Sequence, residues 1–252
     1  MPSSESDIKD LPGLRQFRNR TVQEFFDEHP DVMGVCDTLY FVGEAMPLLE
    51  AAGASRIPSS TWCNLLWQQA ADYLSDAFFL FVEGRLDSGF ALLRMAAELA
   101  RDTAVLRSFP AREHLWRNRE AMRNEYRRAF RFDTNSPLGL AAQAVYKFGS
   151  QHGVHGHTTN FLHFVEDATV NPGRNLTSFK VSKIGILKGI SFWMRSFAPV
   201  HGLCAASRSG SGPEIYTAPE VYQTFQETVF NLGPVLESLE IWLAEAKNEA
   251  QS

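Results

Sequence analysis

Apolar residues recur at steps of three and four along most of the chain, which is the spacing of one face of an α-helix. The run from Trp62 through Leu66 and Tyr73 to Leu80 is a clear case, and Pro58-Ser59-Ser60 before it is a typical helix start. The pattern predicts an all-α, single-domain bundle of about seven helices, over residues 32–52, 60–83, 86–108, 111–131, 138–149, 184–206 and 218–247.

Two segments lack this spacing. The polar first 14 residues are predicted to be a disordered lead-in, which leaves residues 15–249 for the helical domain. Residues 149–181 are rich in glycine, and the turn signal Asn171-Pro172-Gly173 predicts a small β-hairpin near 161–181.

The last predicted helix begins with Thr217 and Glu220, whose side chains can cap its first backbone amides. Its apolar positions alternate steps of four and three from Phe225 to Ala246. Such a seam can pack in the core of one chain or against a second copy. Because the seam is long and Trp242 lies beside it, we expect a homodimer.

The composition narrows the choice of cellular compartment and of binding partners. The 252 residues include 24 Lys and Arg against 29 Asp and Glu, a net charge of -5 that argues against coating a nucleic acid or a membrane. An anionic partner must therefore be bound locally. The scattered cysteines Cys36, Cys63 and Cys204 suggest a reducing compartment, and no apolar segment is long and unbroken enough to span a membrane. We therefore expect a cytoplasmic protein without a membrane association.

Charged residues form a narrow polar stripe on the predicted helix 86–108. At 100° per residue, Asp87, Arg94, Glu98 and Arg101 fall on one line, while almost all of the remaining circumference is apolar. A helix that is apolar over so wide an arc lies at the centre of a fold. The stripe then either contains a structural ion pair between Arg94 and Glu98 or lines a polar cavity.

Two aspartates lie on the preceding helix. Asp72 and Asp76 are one turn apart and repel each other unless a cation lies nearby. Arg94 or Arg101 on the antiparallel neighbour could supply that cation, which makes both aspartates candidate ligand-binding residues. The alternative is a solvated helix surface.

Three histidines cluster on a glycine-rich turn, at His152, His155 and His157. Imidazoles can bind a transition metal, exchange protons near neutral pH or, when protonated, contact a phosphate. The segment offers no cysteine or acidic ligand, so the metal interpretation is the weakest of these. A structural loop is the remaining alternative.

The segment 111–131 is strongly basic. It holds seven arginines against three glutamates, a local balance of +4. Arginine suits phosphate recognition, and Trp116 and Tyr126 could stack on bases, so RNA is one candidate partner. The alternative is an exposed helix with many Glu-Arg pairs.

The chain also resembles a family of uncharacterised all-helical bacterial proteins. The likeness rests on Ala91-Leu92-Leu93-Arg94 with Glu98, and on Tyr146-Lys147-Phe148-Gly149-Ser150 leading to His152 and His155; it covers about residues 60–160. These proteins are similar in outline to the HEPN domains, many of which are ribonucleases of toxin and defence systems. The resemblance implies a helical fold and a polar cluster of Arg94, Glu98 and the histidine turn. The candidate catalytic residues are Arg94, Glu98, His152 and His155.

The HEPN catalytic signature is an arginine followed four to six residues later by a histidine. In this chain only Arg195 and His201 have that spacing. Pro199 lies between them and is expected to disrupt the helix, and the intervening residues are mostly apolar. This departure argues against ribonuclease activity.

The chain has no Walker loop, Rossmann glycine pattern, GxSxG, HExxH or EF-hand motif. We therefore expect no cofactor, and three hypotheses for the function remain. The leading hypothesis is a cytoplasmic helical binding or regulatory module for an anionic ligand or a macromolecular partner. It would act through Arg94, Glu98, Arg101 and the histidine turn. The alternatives are a HEPN-like ribonuclease and a metal-dependent helical enzyme that uses the histidine turn.

Overall fold

The fold is all-α, as predicted. A computed structural model describes residues 11–49, 61–154, 183–209, 212–215 and 219–249. The helices are α1 (Leu11–Glu28), α2 (Pro30–Leu49), α3 (Thr61–Val82), α4 (Leu86–Ser108), α5 (Glu113–Arg117), α6 (Arg123–Ala129), α7 (Pro137–Gly149), α8 (Lys183–Ala205), α9 (Pro219–Phe230) and α10 (Leu232–Glu249). A 3-10 turn (Pro110–Arg112) precedes α5, and a π-helical turn (Ser150–Val154), here called the π-turn, follows α7.

Helices α3 and α4 form an antiparallel hairpin at the centre of the molecule. Gly84 joins them with a φ of 73°, a left-handed conformation that glycine adopts without steric cost. The amide of Gly84 donates to the carbonyl of Phe81 across 2.9 Å, and that of Arg85 donates to the carbonyl of Leu80 across 2.8 Å. These bonds satisfy the last carbonyls of α3, so the helix ends where the glycine predicts.

Helix α8 completes the core by packing on both arms of this hairpin. The ring of Phe81 is fully buried and lies between two glycines, Gly89 of α4 and Gly189 of α8. A Cβ atom at Gly89 would come within 2.5 Å of that ring, and one at Gly189 within 2.6 Å. Both glycines therefore allow their helices to approach α3 closely.

The prediction of one helix over residues 111–131 is wrong. This segment instead forms the 3-10 turn, α5, a further turn and α6. Trp116 Nε1 and the Tyr126 hydroxyl both donate to Oδ2 of Asp102. In a straight helix, residues ten apart are separated by about 15 Å along the axis, so they could not meet at one oxygen atom. We call residues 110–131 the basic lobe.

The predicted helix 218–247 is also interrupted, between Phe230 and Leu232. Pro234 near the start of α10 lacks the amide that a continuous helix would need, which accounts for the break. Leu232 and Leu239 are buried in the core, and Trp242 packs on His29 with ring centroids 4.3 Å apart. This part of the seam packs within the chain. The seam therefore no longer supports the homodimer, which stays a prediction.

Three further differences concern the ends and the turns. The apolar spacing does not predict helix α1, which begins at Leu11, inside the expected lead-in. The structure pairs Ala206–Ser209 (β1) with Gly212–Ile215 (β2) in an antiparallel hairpin. The hairpin predicted near 161–181 lies outside the described residues. Helix α8 continues through Pro199, since its other residues remain packed in the core.

Candidate functional site

A buried polar network occupies the carboxyl-terminal half of α4. Asp102, only 3% exposed, accepts from Nε of Arg101 at 2.9 Å and from Nη2 at 2.6 Å. It also accepts from the Tyr126 hydroxyl at 2.7 Å and from Trp116 Nε1 at 3.1 Å. Four donors saturate this carboxylate, so its main role is to hold the basic lobe against α4.

The hydroxyl of Tyr126 links the two charged groups of the network. It accepts from Arg101 Nη2 across 2.8 Å while it donates to Asp102, so the phenol is protonated. Burial, reinforced by the Asp102 charge, raises the pKa of Tyr126 well above its ordinary value. Burial also raises the pKa of Asp102, against the opposite effects of Arg101 and the Tyr126 hydrogen bond. The raised pKa keeps the Tyr126 hydroxyl in the protonated form that donates to Asp102.

The predicted ion pair between Arg94 and Glu98 does not form among the described residues. Glu98 instead lies 3.5 Å from Nη2 of Arg101, and its side chain is 35% exposed. The guanidinium of Arg94 lies over the ring of Tyr146, with its Cζ 5.4 Å from the ring centroid. The polar stripe is therefore divided: Arg101 and Glu98 belong to the Asp102 network, and Arg94 belongs to the contact with α7.

The π-turn packs directly on the backbone of α4 beside Arg94. A Cβ at Gly149 would lie 2.6 Å from the carbonyl oxygen of Phe90 and 2.8 Å from Cβ of Arg94. A Cβ at Gly153 would lie 2.3 Å from the amide nitrogen of Ala91. Gly149 and Gly153 thus allow close approach, and the structure brings the described part of this turn and Arg94 together.

His152 is the one histidine of the turn that the structure describes. Its ring lies 4.1 Å from that of Phe148 and 5.9 Å from that of Phe90, centroid to centroid, and it is half-buried. His155 and His157 lie outside the described residues. The convergence of Arg94, Glu98 and His155 is therefore still a prediction.

Two polar atoms beside the π-turn are buried without a hydrogen-bond partner in the described part of the chain. They are Nε of Arg94 and the hydroxyl oxygen of Ser150. Buried polar groups are normally satisfied, so each unsatisfied one calls for an explanation such as a bound molecule. The sequence does not predict this pair of atoms, because Ser150 carries no signal beyond its place after Gly149.

The two candidate aspartates of α3, Asp72 and Asp76, are solvent-exposed. Partial burial, followed by the charges of Glu44 and Asp76, raises the pKa of Asp72. Glu44 is fixed by a 2.6 Å hydrogen bond from the Ser75 hydroxyl. Within the described ranges no ion pair joins Asp72 or Asp76 to Arg94 or Arg101, whose guanidinium groups lie against Tyr146 and Asp102 respectively.

The structure separates Arg195 and His201. The Arg195 side chain is 49% exposed and pairs with Glu240 on the surface. His201 is 1% exposed and accepts a hydrogen bond from Trp67 in the core. The HEPN spacing therefore does not form a common site here. Among the described residues, no three His, Cys, Asp or Glu side chains are grouped to hold a metal ion.

Comparison with protein families, curated proteins and solved structures found no match to this chain. No helix in the described ranges has both the length and the apolar character needed to cross a bilayer.

Proposed function

We propose that this protein is a binding module for a small anionic molecule, held where the π-turn meets α4 at Arg94. The observation that carries the proposal is the buried Nε of Arg94, which has no hydrogen-bond partner among the described residues. A guanidinium is always charged at physiological pH, so it needs an anion or water in its surroundings.

The two arginines of the polar stripe differ in whether a nearby carboxylate balances their charge. Arg101 contacts Asp102 at 2.6 Å and Glu98 at 3.5 Å. Arg94 has an aromatic ring beneath it and no carboxylate partner in the part of the chain described. The face of an aromatic ring orients a guanidinium while it leaves the N–H groups in its plane free to donate. Arg94 is thus suited to bind an external carboxylate or phosphate.

The π-turn supplies the second group. The buried hydroxyl of Ser150 can donate to an anion, and it follows Gly149, whose Cα lies against Arg94. His152 on the same turn adds a positive charge when it is protonated. π-helical turns are rare and occur frequently at functional sites, which also supports a ligand at this position.

The experiment is a thermal unfolding titration with orthophosphate, pyrophosphate and citrate, each compared with sodium chloride at equal ionic strength. A ligand that binds the folded state stabilises it by about 2.7 kcal/mol at 100 times its Kd. We expect at least one probe to raise the unfolding midpoint, and Arg94→Gln to abolish that rise. Arg195→Gln is the matched control, because Arg195 is exposed and already paired with Glu240. A rise that survives Arg94→Gln would contradict the proposal.

The ribonuclease and metal-dependent hypotheses have no comparable support among the described residues. Arg195 and His201 are apart, and the metal hypothesis depends on His155 and His157 outside the described ranges. Both stay predictions from the sequence.

A further inference from the structure

The outer surface of the basic lobe combines arginines with aromatic rings. Three arginines lie over rings, with Cζ-to-centroid distances of 4.0 Å for Arg112 over Phe109, 5.0 Å for Arg117 over Trp62 and 4.8 Å for Arg119 over Trp116. The two indoles are themselves in contact, with centroids 5.2 Å apart. Phe109 is 50% exposed. This surface therefore offers flat groups on which other flat groups can stack.

Most arginines of the same lobe form no ion pair with a carboxylate in the described ranges. Arg117 is paired with Glu113 at 2.9 Å. In the described ranges, five exposed arginines form no ion pair: Arg119, Arg123, Arg127, Arg128 and Arg131. Arg123 and Arg127 lie one turn apart on α6, where like charges repel. An extended polyanion would remove this repulsion.

The buried network fixes this surface in place. Tyr126 of α6 and Phe130 just after it lie on the inner side of the lobe, stacked with centroids 4.7 Å apart, and Tyr126 is bound to Asp102. Trp116 is bound to the same carboxylate. The inner side chains of the lobe are thus held by α4, while the arginines of α6 project outward as a preformed surface.

We propose that the basic lobe binds single-stranded nucleic acid. The outward arginines of α6 would contact phosphates, and bases would stack on the guanidinium and aromatic groups around Trp62 and Trp116. Sequence-tolerant single-strand binding combines these two features, a positive surface that follows the backbone and rings on which bases stack. A duplex has its base faces already stacked, so it could use only the charges of this surface.

This binding is separate from that proposed at Arg94. The lobe packs around Asp102, eight residues after Arg94, which corresponds to about 12 Å along α4. Either site can fail without the other, and different variants test them.

The experiment measures fluorescence anisotropy of labelled 12-nucleotide oligouridylate and of a 12-base-pair RNA duplex with the full chain, from low to high salt. Intrinsic tryptophan emission is recorded in the same titration with unlabelled RNA. The test variant is Arg119→Gln/Arg123→Gln/Arg127→Gln. The matched control is Arg20→Gln/Arg85→Gln/Arg195→Gln, which removes three arginines paired with glutamates elsewhere on the surface.

We expect the wild type to bind the single strand more tightly than the duplex and to show a change in tryptophan emission. If the three arginines contact phosphates, the test variant should lose roughly 100-fold in affinity near 0.1 M salt. The slope of the logarithm of its binding constant against the logarithm of salt concentration should become shallower by about 2. The control should bind like the wild type. The proposal is overturned if the single strand does not bind, if the duplex binds equally well, or if the test variant binds unchanged. Binding to phosphatidylglycerol vesicles without binding to RNA would also overturn it.

Discussion

The indole nitrogen of Trp67 donates a hydrogen bond to Nδ1 of His201 across 3.1 Å in the core of the protein. An indole N–H can only donate, so Nδ1 carries no proton and the imidazole is neutral, with its hydrogen on Nε2. Burial lowers the pKa of His201 to about 3. The histidine that fits the HEPN spacing is therefore a structural residue between α3 and α8.

This histidine should make the protein sensitive to mild acid. In the unfolded chain an imidazole takes up a proton near pH 6.5, whereas folded His201 stays neutral until about pH 3. Its contribution to stability is thus complete above pH 6.5 and is lost as the pH falls toward 3. Between pH 7 and 5 the loss should be about 2 kcal/mol.

The measurement is urea unfolding at several pH values for the wild type and His201→Asn. Asparagine keeps an acceptor for Trp67 but does not titrate. The variant should lose less stability than the wild type on acidification, and parallel pH profiles would show that His201 is not the cause.

Asp102 should be among the most sensitive polar positions of the fold. Asp102→Ala leaves Arg101, the Tyr126 hydroxyl and the Trp116 indole without their shared acceptor. Removing one partner of a buried ion pair costs about 3 to 5 kcal/mol. Chemical denaturation measures this cost. Glu98→Ala serves as the control, because this partly exposed carboxylate at 3.5 Å should contribute less than about 1 kcal/mol.

Gly189→Ala should destabilise the contact between α3 and α8. The new methyl group would overlap the buried ring of Phe81, and such overpacking costs about 1 to 3 kcal/mol. The matched control is Gly34→Ala in α2, where nothing lies within 4 Å of the added Cβ. There the change should stabilise by up to about 1 kcal/mol, since alanine is the better helix former. Equal effects at both glycines, measured by thermal unfolding, would argue against a role for the Phe81 contact.

Anion binding at the π-turn should weaken with salt and with rising pH. Salt screens the attraction, and imidazoles lose their charge above about pH 6.5, the ordinary value for histidine. Changing His152, His155 and His157 to Ala should remove the weakening of binding with rising pH, while the Arg94-dependent, salt-sensitive binding remains. Calorimetric titration with the probe that raises the unfolding midpoint, at pH 5.5, 6.5 and 7.5, separates the two effects. A loss of affinity with rising pH that persists in the triple variant would exclude the histidines as its source.

The hydrophobic pattern predicts the central hairpin closely because its signals are local. Gly84 marks the joint, and α3 and α4 begin and end within one residue of the predicted bounds. The basic lobe could not be predicted in the same way, since Trp116 and Tyr126 meet at Asp102 only after the chain folds back on α4. Pro234 is a local signal for the break before α10, but the apolar spacing alone does not show that break.

The candidate site is predictable in part. In the sequence, the polar stripe and the histidine turn place Arg94 and His152 in one candidate cluster. The π-turn does pack beside Arg94 in the structure. The partner of Glu98 is not predictable, because Arg94 and Arg101 are both within reach of it along the helix and tertiary contacts decide between them. Asp102 lies beside the stripe, and its network depends on side chains from a distant part of the sequence.

The attachment of two side chains to one carboxylate also leads us to expect an order of events during folding. Trp116 and Tyr126 can reach Asp102 only once α4 exists, whereas α3 and α4 are joined by a three-residue turn and can pair early. Interactions that form after the transition state mainly control the unfolding rate. Asp102→Ala should therefore accelerate unfolding while refolding keeps nearly its original rate, so this residue governs how long the native protein persists rather than how quickly it forms.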